Sequence, residues 1–338
     1  MKRPTNSRSS YRSSTRCSRR SGSNLVAGLE ARGEYEIVVC DRLGSDQKWQ
    51  NLAKREVAAI VPPDDLLYFL DNSASQIHAV FHLGAITSTT ETDADLIVDT
   101  NFTLSQALWE RCASHGTRFI YASSAATYGD GSAGFDDNAS PEELAKLRPL
   151  NAYGWSKHLF DRRIARLIGG PARRPSQWAG LKFFNVYGPN EYHKGAMRSV
   201  IAQILPQIAA GKPARLFKSH RKDYQDGAQK RDFIWVGDCV DVLLWLYDNE
   251  EVSGLFNLGS GKARTFADLA KATFHALGKE PTIEYIDMPP TLRAKYQYFT
   301  EAKMDRLRAA GYTKPFTTLE DGVGHYVRDY LATADPYV

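Results

Sequence analysis

Apolar and polar positions follow two rhythms along the first two thirds of the chain. The runs "EIVVCD" (36–41), "HAVFHLGA" (78–85), "RFIYASS" (118–124) and "GLKFFNVYG" (180–188) are too short for helices and rich in β-branched or aromatic residues, which predicts strands. Between them, 24–33, 91–115 and 151–168 carry apolar residues at helical spacing. Strands apolar on both faces and joined by helices predict a parallel, doubly wound α/β sheet of Rossmann type. Beyond about residue 190 the rhythm loosens. "HKGAMRSVIAQILPQIAAGKP" reads as a helix closed by Gly211 and Pro213, and "TFADLAKATFHALGKEP" and "FTEAKMDRLRAAGY" read as two more.

The start of the chain breaks this pattern. From Asn24 the residues read as a helix followed by a strand ending in Asp41, the second half of a nucleotide-binding βαβ unit. The first half has no counterpart, because "SRSSYRSSTRCSRR" has neither alternation nor an apolar run. The expected organisation is therefore a Ser/Arg-rich tail over 1–21, a dinucleotide-binding domain over 22–190 completed by about 232–260, and a smaller substrate-binding lobe from 191–231 and 261–338. The first strand and its glycine-rich loop are missing from it.

Charge and composition narrow the possibilities. The net charge is +4, but residues 1–21 hold seven Lys and Arg and no acid, and removing those from +4 leaves −3. The basicity belongs to the tail, so no nucleic-acid surface is expected. No run of 18 apolar residues is present, so no membrane span is expected either. Cys17, Cys40, Cys112 and Cys239 are scattered without close pairing, which argues against a zinc site or a disulfide framework and for a reducing, cytoplasmic setting.

The chemistry-bearing stretches lie at the ends of the predicted strands. In "NAYGWSKHLF", Tyr153 and Lys157 stand four apart and share a helix face. A phenol is a poor base at neutral pH, and an ammonium group beside it favours the phenolate. Upstream, "YASSAATYGD" puts Ser123 and Ser124 at a strand's carboxyl end, where such sheets bind ligands. A hydroxyl there can hydrogen-bond a substrate oxygen as its proton moves.

Strand-end serines, then Y-x-x-x-K, then "FFNVYGPN" form an ordered set that resembles the extended short-chain dehydrogenase/reductases, the nucleotide-sugar epimerases and dehydratases. Within that superfamily, "GPNEYHKGAM" and "KYQYFTEA" look closest to the ADP-glyceromanno-heptose 6-epimerases. The resemblance implies Ser124, Tyr153 and Lys157 as the catalytic triad, with Lys194 a second acid/base on the opposite face of the sugar. It implies a cofactor site of Gly22, Ser23, Asn24, Asp41, Arg42, Lys48, Leu83, Gly84, Ala85, Asn101, Lys157, Val186 and Lys194. It implies a substrate site of Ser124, Asn185, Ala196, Gln203, Phe217, Arg231 and Tyr296. Ala196 and Gln203 depart from the serine and histidine that some members carry.

Asp41 at a strand end suits a ribose 2′-OH and hence NAD, whereas Arg42 and Lys48 suit a 2′-phosphate. The resemblance favours NADP, with NAD tolerated. It also implies a nucleotide-diphosphate sugar (ADP-heptose) as substrate, a homo-oligomer, and no metal.

Two alternatives stand beside this reading. A UDP-hexose 4-epimerase shares most of the motifs, while a dehydratase would carry an Asp-Glu pair where Ala125 and Ala126 stand. A non-catalytic relative would explain the absent glycines. Because only Gly22 remains of G-x-x-G-x-x-G and a seamless match follows it, the segment before it reads as an unrelated sequence in place of the family's strand and loop. A chain so altered is expected to hold its cofactor weakly or to be poorly soluble.

Overall fold

The computed structural model describes residues 13–16, 20–293 and 296–338. Its strands are β1 (Ser13–Arg16), β2 (Ile37–Cys40), β3 (Ala59–Val61), β4 (Ala79–His82), β5 (Arg118–Ser124) and β6 (Trp178–Phe183). They continue with β7 (Asn185–Tyr187), β8 (Ala214–Phe217), β9 (Lys230–Trp235), β10 (Gly254–Leu258), β11 (Ala263–Thr265) and β12 (Ile283–Ile286). The helices are α1 (Arg20–Glu30), α2 (Leu66–Ser73), α3 (Ala94–Val98), α4 (Leu104–His115), α5 (Pro141–Leu144) and α6 (Ala152–Ile168). Then come α7 (Val200–Ala209), α8 (Val236–Asp248), α9 (Phe266–Ala276), α10 (Pro290–Arg293), α11 (Asp305–Ala309) and α12 (Leu319–His325).

Seven strands form one sheet in the order β10-β6-β5-β4-β1-β2-β3, every pair parallel. Alternate residues of each strand point to opposite faces, and the core divides accordingly. Val39, Phe81, Ile120 and Leu181 pack with α1 and α8, whereas Cys40, Val80, Phe119 and Tyr121 pack with α2, α4 and α6. This is the doubly wound arrangement that the alternating pattern predicts. The strand order reverses between β1 and β4, which opens a crevice at their carboxyl ends.

The start of the chain is where the structure corrects the sequence reading. The place of the first strand is filled, because Ser13–Arg16 runs between β2 and β4 and pairs Ser14 with both Val38 and Val80. A parallel ladder is made by main-chain groups that every residue carries, so it does not require an apolar run. The flanking strands are wholly buried, and without a partner their inner edges would hold unpaired N–H and C=O groups. α1 likewise begins at Arg20, inside the stretch read as tail. With Gly22 as the last glycine of the pattern, its first position falls on Arg16 at the end of β1 and its second on Arg19, outside the described residues.

Three other elements differ from the pattern. The predicted strand 180–188 breaks at Phe184, whose N–H donates to the Leu258 carbonyl (3.0 Å). β6 stays in the main sheet while β7 crosses to a second sheet, β11-β9-β7. The predicted helix 91–115 is interrupted by a π-turn at Asp99–Thr103. The predicted helix near 299–312 shrinks to α11, because its first half lies along β9: Thr300 N donates to Lys230 O and Ala302 N to the Asp232 carboxylate. The smaller lobe is completed by the β8–β12 pair and a core of Ile201, Leu269, Val323 and Tyr326 on α7, α9, α12 and the turn after it.

Candidate active site

α6 starts where Asn151 caps it, its Oδ1 accepting from Gly154 N at 2.8 Å. That cap fixes Tyr153 in the first turn and Lys157, which is buried, one turn on. Ser124 ends β5, and its Oγ accepts from Ala126 N (3.1 Å). α6 lies close against the turn after Ser124: a Cβ on Gly154 would stand 2.6 Å from the Ala126 carbonyl oxygen. Only glycine permits that approach. Ser123 does not join the site, because it is 2% exposed and its Oγ donates to Asp161 (2.6 Å), away from the crevice.

Two cavities flank these residues. One, of about 760 Å³, is lined by Asp41, Arg42, Lys48, Ala85, Ile86, His193 and Lys194 among others. The other, of about 510 Å³, is lined by Thr89, Thr90, Ala126, Asn151, Asn185, Arg231, Tyr296 and Gln297 among others. A larger cavity of about 900 Å³ lies between α1, α8 and the segment around Tyr312, away from the strand ends that carry the chemistry.

The first cavity sits at the end of β2. Lys48 Nζ contacts the buried Asp41 carboxylate at 2.7 Å and the Arg42 carbonyl at 2.6 Å, while Arg42 reaches Asp64 (2.5 Å) at the surface. An acceptor and a cation thus meet where the ribose of a dinucleotide would lie. Leu83 and Gly84, just after β4, are buried. Gly22, Ser23 and Asn24 lie in the early turns of α1, tied to the "GPN" loop: Asn190 Nδ2 donates to Ser23 Oγ (2.9 Å) and Asn24 Nδ2 to Pro189 O (3.4 Å). Asn190 itself has φ 66°, a conformation asparagine tolerates better than most residues.

Asn101 is fully buried in the π-turn. Its Oδ1 accepts from Ile86 N (2.8 Å), and its Nδ2 donates to Ile86 O (2.9 Å) and Ser156 Oγ (3.0 Å). Its amide is thus spent on tying the loop after β4 to α6. Val186 is half-buried on β7, beside the exposed Asn185.

In the second cavity Arg231 is 6% exposed, and among the described residues it donates to its neighbour's carbonyl, Lys230 O (2.9 Å), alone. Its guanidinium lies 4.9 Å from the Tyr296 ring and 5.7 Å from that of Phe266. Burial lowers its proton affinity, and among the described residues no carboxylate pairs with it. Asp232, the adjacent acid, accepts instead from Ser260, Gly261 and Ala302. A buried, unpaired cation facing a cavity suits an anionic ligand.

Ala196, Gln203 and Phe217 do not line this cavity. Gln203 Nε2 donates to Ala196 O (3.1 Å) and Arg198 O (2.7 Å), so it supports the turn that carries Lys194. Phe217 closes β8, its carbonyl accepting from Gln229 (3.4 Å). Sequence reading missed Thr89, Thr90, Asn151 and Gln297. Asn151 was legible as a helix cap, whereas Gln297, which donates to the Gly129 carbonyl, reaches the site only through the fold. Among the described residues no group of His, Cys, Asp and Glu is placed to hold a metal ion, and no helix is long and apolar enough to cross a membrane.

Comparison with known proteins places the family. Residues 20–259 match the model of the NAD dependent epimerase/dehydratase family. The chain is 51% identical over 322 residues to ADP-L-glycero-D-manno-heptose-6-epimerase of Nitratidesulfovibrio vulgaris, covering 94% of this chain and 97% of that one. It is 46% identical to the Fusobacterium nucleatum enzyme of that name, over 94% and 97%. Among solved structures, the Helicobacter pylori ADP-L-glycero-D-manno-heptose-6-epimerase shares the fold, with a TM-score of 0.75 and 24% identity over 94% of this chain and 96% of that one. MoeE5, solved with UDP-glucose and NAD, superposes with a TM-score of 0.71 at 25% identity, over 92% and 95%. With strand-end serine, Y-x-x-x-K helix and both flanking cavities in place, the chain belongs to the NAD dependent epimerase/dehydratase family.

Proposed function

We propose that this protein is an ADP-D-glycero-D-manno-heptose 6-epimerase, interconverting the D-glycero and L-glycero forms through a transient 6-keto sugar. The observation that carries this is 51% identity, over 94% of the chain, to an epimerase of that name. The same chain retains Ser124, Tyr153 and Lys157 on facing elements.

The adenosine end of a nicotinamide cofactor fits the cavity at Asp41 and Lys48. With Lys48 against the Asp41 carboxylate, a 2′-phosphate meets a neutralised acid, and Arg42 adds a second cation. A 2′-hydroxyl still finds an acceptor there, so NADP is the expected cofactor and NAD is tolerated. When bound, the nicotinamide supplies reversible removal and return of hydride.

The chain's own residues do the rest. Arg231, with its planar fork, and Tyr296 hold the nucleotide diphosphate and sugar. Ser124 donates a hydrogen bond to the reacting oxygen. Tyr153 takes that oxygen's proton and gives it back, with the Lys157 ammonium favouring the phenolate. Inverting a carbinol centre presents two faces of one ketone in two poses, and Lys194, carried on the turn after the GPN loop, serves the second. No net oxidation results. The setting is cytoplasmic, and the active unit is a homo-oligomer.

The test is nicotinamide content after denaturation, followed by turnover of ADP-D-glycero-D-manno-heptose. Bound NADP with conversion to the L-glycero form is expected, and Tyr153→Phe should lower kcat by about 10²-fold or more. Conversion of UDP-glucose but not ADP-heptose would assign a 4-epimerase instead. A folded protein without nicotinamide would be a non-catalytic relative.

A further inference from the structure

Behind the proposed catalytic residues lies a buried ion pair that the reaction as described does not use. Asp161 follows Tyr153 and Lys157 at the same four-residue interval on α6, and its side chain and that of Lys182 are both wholly buried. The pair is fully satisfied. The carboxylate accepts from Lys182 Nζ (2.8 Å), Ser123 Oγ (2.6 Å) and the Tyr121 hydroxyl (3.2 Å). Lys182 Nζ also donates to Thr127 Oγ1 (2.6 Å) and lies 4.8 Å from the Tyr128 ring centroid. Thr127 Oγ1 in turn donates to the Ser124 carbonyl (2.8 Å). Ser123 and Lys182 are register partners across β5 and β6, so both reach α6 from the same face of the sheet.

A buried ion pair gives little net stability over apolar residues of the same shape, because desolvating two charges offsets their attraction. Its value here is geometric. The chain Asp161–Lys182–Thr127–Ser124 references the helix that bears Tyr153 to the turn that bears Ser124, and each link is directional. We infer that Asp161 and Lys182 are positioning residues for the epimerisation, holding α6 and the end of β5 at the separation that lets Ser124 and Tyr153 address one oxygen. This rests on the assignment of Ser124 and Tyr153 made above.

The test compares kcat, KM, bound nicotinamide and melting temperature on ADP-heptose for four variants of the full chain. In Asp161→Leu/Lys182→Met both charges leave together, so folding and cofactor content should survive. Its kcat should fall about tenfold or more with KM within about threefold, the signature of misplaced rather than unbound groups. Thr127→Val keeps the ion pair but cuts its link to Ser124; it should lower kcat several-fold with bound nicotinamide unchanged, and the melting temperature should drop by only a few degrees for the buried acceptor that Lys182 loses. Lys182→Met alone takes from the buried Asp161 the cation it pairs with, leaving it the hydroxyls of Ser123 and Tyr121, and should cost stability as well as rate. Wild-type kcat in both Thr127→Val and the folded double variant would overturn the inference, and if the double variant does not fold, Thr127→Val decides. Tyr153→Phe is the control: its retained turnover would instead overturn the site assignment beneath.

Discussion

Asp137 is buried beside β10, where Asn257 N donates to its carboxylate at 2.7 Å and Arg306 approaches at 3.6 Å. Burial pushes this carboxyl up to about 6, against the pull of Asn257 and Arg306. The folded value lies above the ordinary 3.8, so the folded state holds the proton more tightly. The stability this confers is fully present below about pH 4 and is lost as pH rises through 6. Asp137→Asn, which can still accept from Asn257, should therefore raise stability by about 1–2 kcal/mol at pH 7.5 and give no gain at pH 4. Thermal melts at the two pH values check this, and an equal effect at both would contradict it. Arg231→Lys keeps the charge but loses the planar fork and the ring contact; KM for ADP-heptose should rise about tenfold with kcat little changed. At this scale the sequence named Tyr153, Lys157 and Ser124 by motif. Residue chemistry without the resemblance did not separate Ser123 from Ser124, because the direction of a strand-end side chain depends on what packs over it, here Asp161.

At the scale of elements, α6 depends on one small residue. Gly154 brings the helix backbone to the Ala126 carbonyl, and a methyl group there would have to displace main chain. Gly154→Ala should cost about 1–3 kcal/mol and lower kcat more than it lowers cofactor content, since it shifts Tyr153 relative to Ser124. Steady-state kinetics beside a nicotinamide assay would show this; a variant with wild-type kcat would mean the helix can move without consequence. Most elements were legible from apolar spacing and caps. Those that were not include the break at Phe184 and the shortened α11, where a hydrogen bond from a distant segment won over local preference, and the π-turn at 99–103, which holds Asn101 against Ile86.

At the scale of the whole molecule, the question is the start of the chain. Ser13–Arg16 completes the sheet between β2 and β4, but Arg20 and Ser21 stand in α1 at positions where the resemblance implies small residues beside a pyrophosphate. Replacing residues 12–21 by an apolar strand and G-x-x-G-x-x-G should raise nicotinamide content toward one per chain. It should also raise the melting temperature, because a ligand that binds only the folded state stabilises it. Equal occupancy before and after the exchange would show that the present segment grips the cofactor as well as a glycine loop does.

The sequence by itself determined the layered α/β architecture, because burial on both faces of a strand needs an unbroken apolar run and helices need apolar residues at their own period. It also gave the reaction class, through the ordered set of strand-end serine, Y-x-x-x-K and "FFNVYGPN" and the family resemblance they carry; the tyrosine and lysine are local, four residues apart on one helix face whatever lies elsewhere. Only the tertiary structure decided what fills the centre of the sheet, since main-chain pairing leaves little trace in side-chain pattern. Only it decided that Arg231 faces a cavity to which no described residue brings a carboxylate. And only it showed that Lys182, an isolated charge in an apolar strand, answers Asp161 across 21 residues, because such a pair exists only once strand and helix have met.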